Sequence, residues 1–150
     1  MLQAKDIMTP EVITVSPEMS LPDLSKLFIE KQKNGFPVVD SSGKLIGVVT
    51  EKDLIDQNKQ LHMPTVIALF DAVIYLDSQK KFEEELKRFT GTRVEDICSR
   101  DVITVAPDTP LSQVASIMAE NSVHTLPVVE AGRLVGVIGK RDVIRGLAQS

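Results

Sequence analysis

The sequence predicts an α/β fold of the α+β kind, built from two β-α-β-β-α repeats that pack on each other through a pseudo-two-fold axis. Three observations predict it. The chain repeats itself in register. Its strand segments are rich in Val, Ile and Leu, while aromatic residues make up only 4% and Trp is absent. Finally, each copy alternates short β-branched runs with helical apolar stripes, an order that mixes strands and helices in one small unit.

The repeat is read directly from the residues. Asp6-Ile7-Met8-Thr9-Pro10 is answered by Asp96-Ile97-Cys98-Ser99-Arg100, and Val12-Ile13-Thr14-Val15 by Val102-Ile103-Thr104-Val105. Pro37-Val38-Val39 matches Pro127-Val128-Val129. One residue is lost in the next turn. After it, Gly43-Lys44-Leu45-Ile46-Gly47-Val48-Val49 matches Gly132-Arg133-Leu134-Val135-Gly136-Val137-Ile138, and Asp53-Leu54-Ile55 matches Asp142-Val143-Ile144.

Within a copy, Val12 to Val15 is a first strand, ended by Pro17. A helix follows, with Leu21, Leu24, Leu27 and Phe28 on one face, and Leu111, Val114, Ile117 and Met118 in the second copy. Ser20 and Thr109 are the expected N-caps. Phe36 to Val39 and Leu45 to Val49 form a hairpin across the turn Asp40-Ser41-Ser42-Gly43. A second helix starts near Glu51. Strands apolar on both faces need cover on both sides, so neither copy is expected to stand alone. Repeat one spans 1–56, a helical insert 57–94 and repeat two 95–150. In the insert, Ser78 to Phe89 reads as an amphipathic helix. Met63 to Tyr75 is more apolar than a surface loop and either packs on the body or a second subunit, or docks a regulated partner.

Bulk properties exclude several classes. The 150 residues carry a net charge of −4, which disfavours nonspecific nucleic-acid binding. A small cationic patch around one phosphate remains compatible with it. Cys98 is the single cysteine, so no internal disulfide forms, and a reducing cytoplasm is the expected setting. His62 has no Cys or His at ligand spacing, and no metal is expected. The segment Met63 to Leu76 is too short and polar to span a bilayer. The opening MLQAKDIMTP has no apolar signal core. No P-loop, G-x-S-x-G or H-E-x-x-H pattern occurs, and no enzyme is expected.

The ordered set D-I-M-T-P, V-I-T-V-x-P, P-V-V and G-x-x-T-x-x-D resembles the CBS domain, and Gly47-Val48-Val49-Thr50-Glu51-Lys52-Asp53 fits its last element fully. Two copies make a Bateman module. The resemblance covers about residues 5–56 and 95–147. It implies that Thr50 and Asp53 meet the ribose hydroxyls of an adenine nucleotide, since a carboxylate can accept from both. It implies that the adenine lies against Ile97 to Val102 and Val123-His124 at the Asp53 site. At the Asp142 site the matching residues are Ile7 to Val12 and Lys33-Asn34, so Ile7, Val12 and Asn34 join the candidates. His124, Lys52, Lys140 and Arg141 are placed to meet phosphate, or simply face solvent.

The T-x-x-D spacing has a second explanation: it is a helix capping box, a role compatible with ligand contact. Gly139 replaces Thr50 in the second copy. Losing one neutral hydrogen bond costs about 1 kcal/mol, near five-fold in affinity, so the Asp53 site is expected to be the stronger. The expected function is a non-catalytic sensor of AMP, ADP, ATP or a related adenosyl ligand. No cofactor is expected to be required, the resemblance implies a flat homodimer, and the sequence does not name the regulated protein. The alternative is a ligand-free interaction module docking through its insert.

Overall fold

A computed structural model describes residues 1–59, 83, 87 and 90–149. The expected insert helix, apart from Glu83 and Lys87, and the apolar stretch Met63 to Tyr75 lie outside the described residues, as does His62. Among the described residues no helix is long and apolar enough to cross a membrane.

Each copy opens on a single helical turn, α1 (Ala4–Ile7) and, further along, α4 (Val94–Ile97). An aspartate starts each one. Asp6 Oδ2 accepts from Gln3 N at 2.8 Å, and Asp96 Oδ2 from Arg93 N at 2.8 Å. Helix α2 (Leu21–Lys31) begins where Ser20 Oγ accepts from Asp23 N at 3.3 Å. It buries Leu21, Leu24 and Phe28, and α5 (Leu111–Glu120) buries Leu111, Val114 and Met118. Leu27 and Ile117 sit half-buried at the edges of those stripes.

Thr109 is not the cap of α5. The structure keeps the repeat register, so the N-cap falls on Pro110, the position of Ser20, and Pro110 has no side-chain acceptor. Thr109 Oγ1 instead accepts from Ala106 N at 3.1 Å, one turn earlier.

Strands β1 (Gly35–Val39) and β2 (Leu45–Thr50) form one antiparallel hairpin, and β3 (Thr125–Glu130) and β4 (Arg133–Gly139) the other. Phe36 pairs with Val49 and Leu126 with Ile138, and each hairpin bulges at equivalent places, Val38/Val39 and Val128/Val129. The expected turn forms. Asp40 Oδ1 accepts from Ser42 N, Ser42 Oγ and Lys44 N, and Gly43 takes φ +85°. Each hairpin leads straight into a helix, α3 (Glu51–Lys59) or α6 (Lys140–Gln149).

The strand expected over Val12 to Val15 shrinks to one residue. Only Val15 pairs, in a parallel bridge with Val38, and Val105 with Val128 likewise. Val15 N donates to Pro37 O and Val15 O accepts from Val39 N. The next residue in phase to donate is Pro17 or Pro107, which has no N–H, so the ladder stops there.

The opening turns cross over. Ala4 and Ile7 are buried with Val105, Leu111, Leu126 and Ile138 of the second copy, whereas Val94 is buried with Val15, Leu21, Phe36 and Val49 of the first. The crossing is symmetric in detail. Thr9 bridges Val137 as Ser99 bridges Val48, and Gln3 bridges Pro110 as Arg93 bridges Ser20. Ala4 N donates to Thr109 O and Val94 N to Met19 O. Such contacts pass close to the strands. A Cβ at Gly47 would run into the Ser99 carbonyl, and one at Gly136 into the Met8 side chain. The crossing brings the chain after Ser99 alongside β2 and the start of α3.

Candidate functional site

The T-x-x-D turn sits where β2 passes into α3. Thr50 N donates to Asp53 Oδ2 at 2.9 Å, and Asp53 N donates to Thr50 Oγ1 at 3.2 Å. This is the reciprocal capping box that the spacing allowed. It consumes one carboxylate oxygen. Among the described residues, Asp53 Oδ1 has no partner, and the side chain is half-buried. One oxygen of a fixed carboxylate is therefore left to accept.

That carboxylate lines a cavity of about 760 Å³. One side is the turn itself, with Thr50, Glu51, Lys52 and Asp53. The facing side comes from the second copy, where Val102, Ile103, Val123 and His124 present two valines, an isoleucine and an imidazole. The crossover of α4 delivers Ser99, Asp101, Val102 and Ile103 there, and the start of β3 delivers Ser122 to Thr125. The chain enters β3 through Ser122 at φ +53°, a left-handed conformation uncommon for a non-glycine residue. The cavity combines an apolar slot with polar groups at its rim, the usual form of a small-molecule site.

The second T-x-x-D equivalent is built differently. Gly139 N donates to Asp142 Oδ2 at 2.8 Å, so the backbone half of the box survives without the hydroxyl. Asp142 Oδ1 lies 3.3 Å from Arg145 Nη1. The residue is 8% exposed and does not line the cavity. Both of its oxygens are taken, one by the helix start and one by Arg145, which stands where the first copy has Asp56.

The candidates from sequence separate accordingly. Thr50, Asp53, Lys52, Val102, Val123 and His124 come together around one cavity. Asn34, placed by the resemblance at the Asp142 side, lines this same cavity. Ile7 is 6% exposed within the second copy's core, so packing occupies it. Val12 is half-buried and Arg141 exposed, both away from the cavity. Ile55, Ile103 and Ser122 line the cavity and escaped the sequence reading. Ile103 was legible only as strand interior, whereas it lines the cavity. Cys98 packs beside Gly47, and burial pushes its thiol pKa up, with Arg100 opposing.

The chain is similar to known proteins along its whole length. The CBS domain family matches residues 4–58 and 94–149. An uncharacterized protein of Methanocaldococcus jannaschii is 30% identical over 95% of this chain and 89% of its own length. The chloroplast protein CBSX2 of Arabidopsis thaliana is 31% identical over 96% of this chain, which spans only 63% of CBSX2. A crystal structure of CBSX2 in complex with AMP matches with a TM-score of 0.76 and 26% identity, covering 99% of this chain and 98% of that one. The CBS domain pair of protein MJ0100, in complex with 5′-methylthioadenosine and S-adenosyl-L-methionine, matches with a TM-score of 0.72 and 26% identity, over 99% and 98% of the two chains.

Proposed function

The chain belongs to the CBS domain family, and from that premise we propose that its Asp53 cavity binds an adenosine-containing nucleotide and that the module is a regulatory sensor, not a catalyst. The observation that carries this is the Asp53 carboxylate, fixed by Thr50 N with its other oxygen open at the cavity. The open oxygen accepts from the ribose hydroxyls, a charge-assisted contact. The adenine enters the slot between Val102 and Val123. Relatives crystallised with AMP, 5′-methylthioadenosine and S-adenosyl-L-methionine support this ligand class.

The ligand would touch both copies at once, Thr50 and Asp53 on one and Val102 and His124 on the other. It therefore has different affinity for different settings of the two copies, the condition for a ligand to signal. A homodimer and a separate regulated protein in the cytoplasm would complete the sensor, with AMP, ADP and ATP as the competing ligands.

A thermal-shift series with AMP, ADP, ATP, 5′-methylthioadenosine and S-adenosyl-L-methionine tests this. Ligand at one hundred times its Kd adds about 2.7 kcal/mol, which raises Tm by roughly 4–10 °C for a chain of this size. Asp53→Ala should abolish the shift. No shift with any of the five ligands refutes the proposal and favours a ligand-free interaction module.

A further inference from the structure

Glu51 and Lys140 hold the same place in the repeat, the first residue of the helix after each hairpin, and both line the Asp53 cavity. Asn34 and His124 are another equivalent pair that line it together. The cavity thus reaches the pseudo-two-fold axis, where the equivalent residues Gly35 and Thr125 also meet. A Cβ on Gly35 would lie 2.9 Å from Thr125 Oγ1. Symmetry of the fold brings the two helix starts to one cleft, and the sequence gives them opposite charge.

Lys140 has no ion-pair partner among the described residues, so its ammonium is available to a ligand. It also arrives from the copy opposite the ribose carboxylate. Lys52 is tied to the same turn as Asp53, and its equivalent Arg141 does not reach the cavity. Glu51 repels an anion from the other side of the axis.

Resting on the nucleotide reading above, we propose that Lys140 recognises the 5′-phosphate, with His124 beside it, and that Lys140 makes the site selective for a phosphorylated adenosine over an uncharged one, a preference that Glu51 opposes and so limits. The second copy's altered motif has lost its own ribose hydroxyl partner, and its first helical residue serves the first copy's site.

Calorimetric titration of the full chain with AMP and with adenosine tests the assignment, using Lys140→Gln and Glu51→Gln. The wild type should bind AMP more tightly than adenosine. Lys140→Gln should weaken AMP roughly ten- to one-hundred-fold, the scale of losing one hydrogen bond to a charged group, while adenosine changes by less than about two-fold. Glu51→Gln should tighten AMP. Unchanged adenosine binding also shows that the variants fold. Equal loss of both ligands in Lys140→Gln, or an unaltered AMP-to-adenosine ratio, overturns the role of Lys140 and leaves nucleoside binding standing. If the wild type binds neither, the nucleotide reading and this one fall together.

Discussion

Asp53 and Asp142 occupy one position of the repeat, yet they are different groups chemically. Asp53 spends one oxygen on Thr50 N and keeps the other at the cavity. Asp142 spends both, on Gly139 N and on Arg145, and is buried. The position differs from Asp53 in its burial, its missing Thr hydroxyl and the arginine in place of Asp56. The expected stoichiometry is therefore one nucleotide per chain by calorimetry. Asp53→Ala should remove binding, whereas Asp142→Ala should lower stability and leave the stoichiometry at one. Two equivalent nucleotides per chain in the wild type would contradict this. A Cβ at Gly139 would meet only Asp142 Oδ2, at 3.7 Å, an ordinary contact.

Among the elements, the β2 and β4 strands carry the tightest constraint. The opening segment of the other copy bridges each of them, at Val48–Ser99 and Val137–Thr9. At Gly47 the obstacle to a Cβ is backbone, the Ser99 carbonyl; at Gly136 it is the flexible Met8 side chain. Gly47→Ala should therefore lower stability by about 1–3 kcal/mol, the usual cost of overpacking, and Gly136→Ala by clearly less. Denaturant melts of the two variants check the order, and equal losses would show that Ser99 yields as easily as Met8. The first hairpin adds a pH-dependent element. The Ser42 hydroxyl and the Lys44 and Ser42 amides hold the Asp40 carboxyl below its usual range. A depressed carboxylate stabilises the fold above its unfolded-state pKa, and that contribution disappears as pH falls through the lower native value. The stability gap between the wild type and Asp40→Asn should accordingly be present at neutral pH and close in acid, in thermal melts run across that range. A gap independent of pH would mean that the turn does not depend on the charge.

For the whole molecule, the decisive feature is the exchange of opening turns. Ala4 and Ile7 complete the second copy's core, and Val94 completes the first. Burying an aliphatic side chain contributes about 1.5–3 kcal/mol, and a small core can spare little of that. A fragment ending at residue 59 lacks Val94 and the Ser99 bridge. A fragment of residues 12–100 contains both. Circular dichroism melts should show a cooperative transition for 12–100 and none for 1–59. The opposite result would mean that a contiguous copy folds without the exchange. The same exchange gives the Asp53 cavity walls from both copies, so the proposed ligand would touch each.

The residues by themselves determined the repeat, the hairpins, the apolar stripes of α2 and α5 and the T-x-x-D turn, because these depend on spacing within a few residues: a two-residue pleat, a helical turn, a capping carboxylate three positions on. They also showed the lost Thr at Gly139. The length of the first strand was not legible, because a parallel pairing depends on the partner's donors and on a proline two residues beyond. The cap of α5 was misplaced for a related reason. Local preference favoured Thr109, and packing of the stripe held the helix to its repeat register. Only the tertiary structure decided that Asn34 shares the Asp53 cavity, that Ile7 belongs to the second copy's core, and that Lys140 and Glu51 line one cleft. These relations join residues far apart in the chain, brought together by a symmetry axis that sequence spacing does not locate.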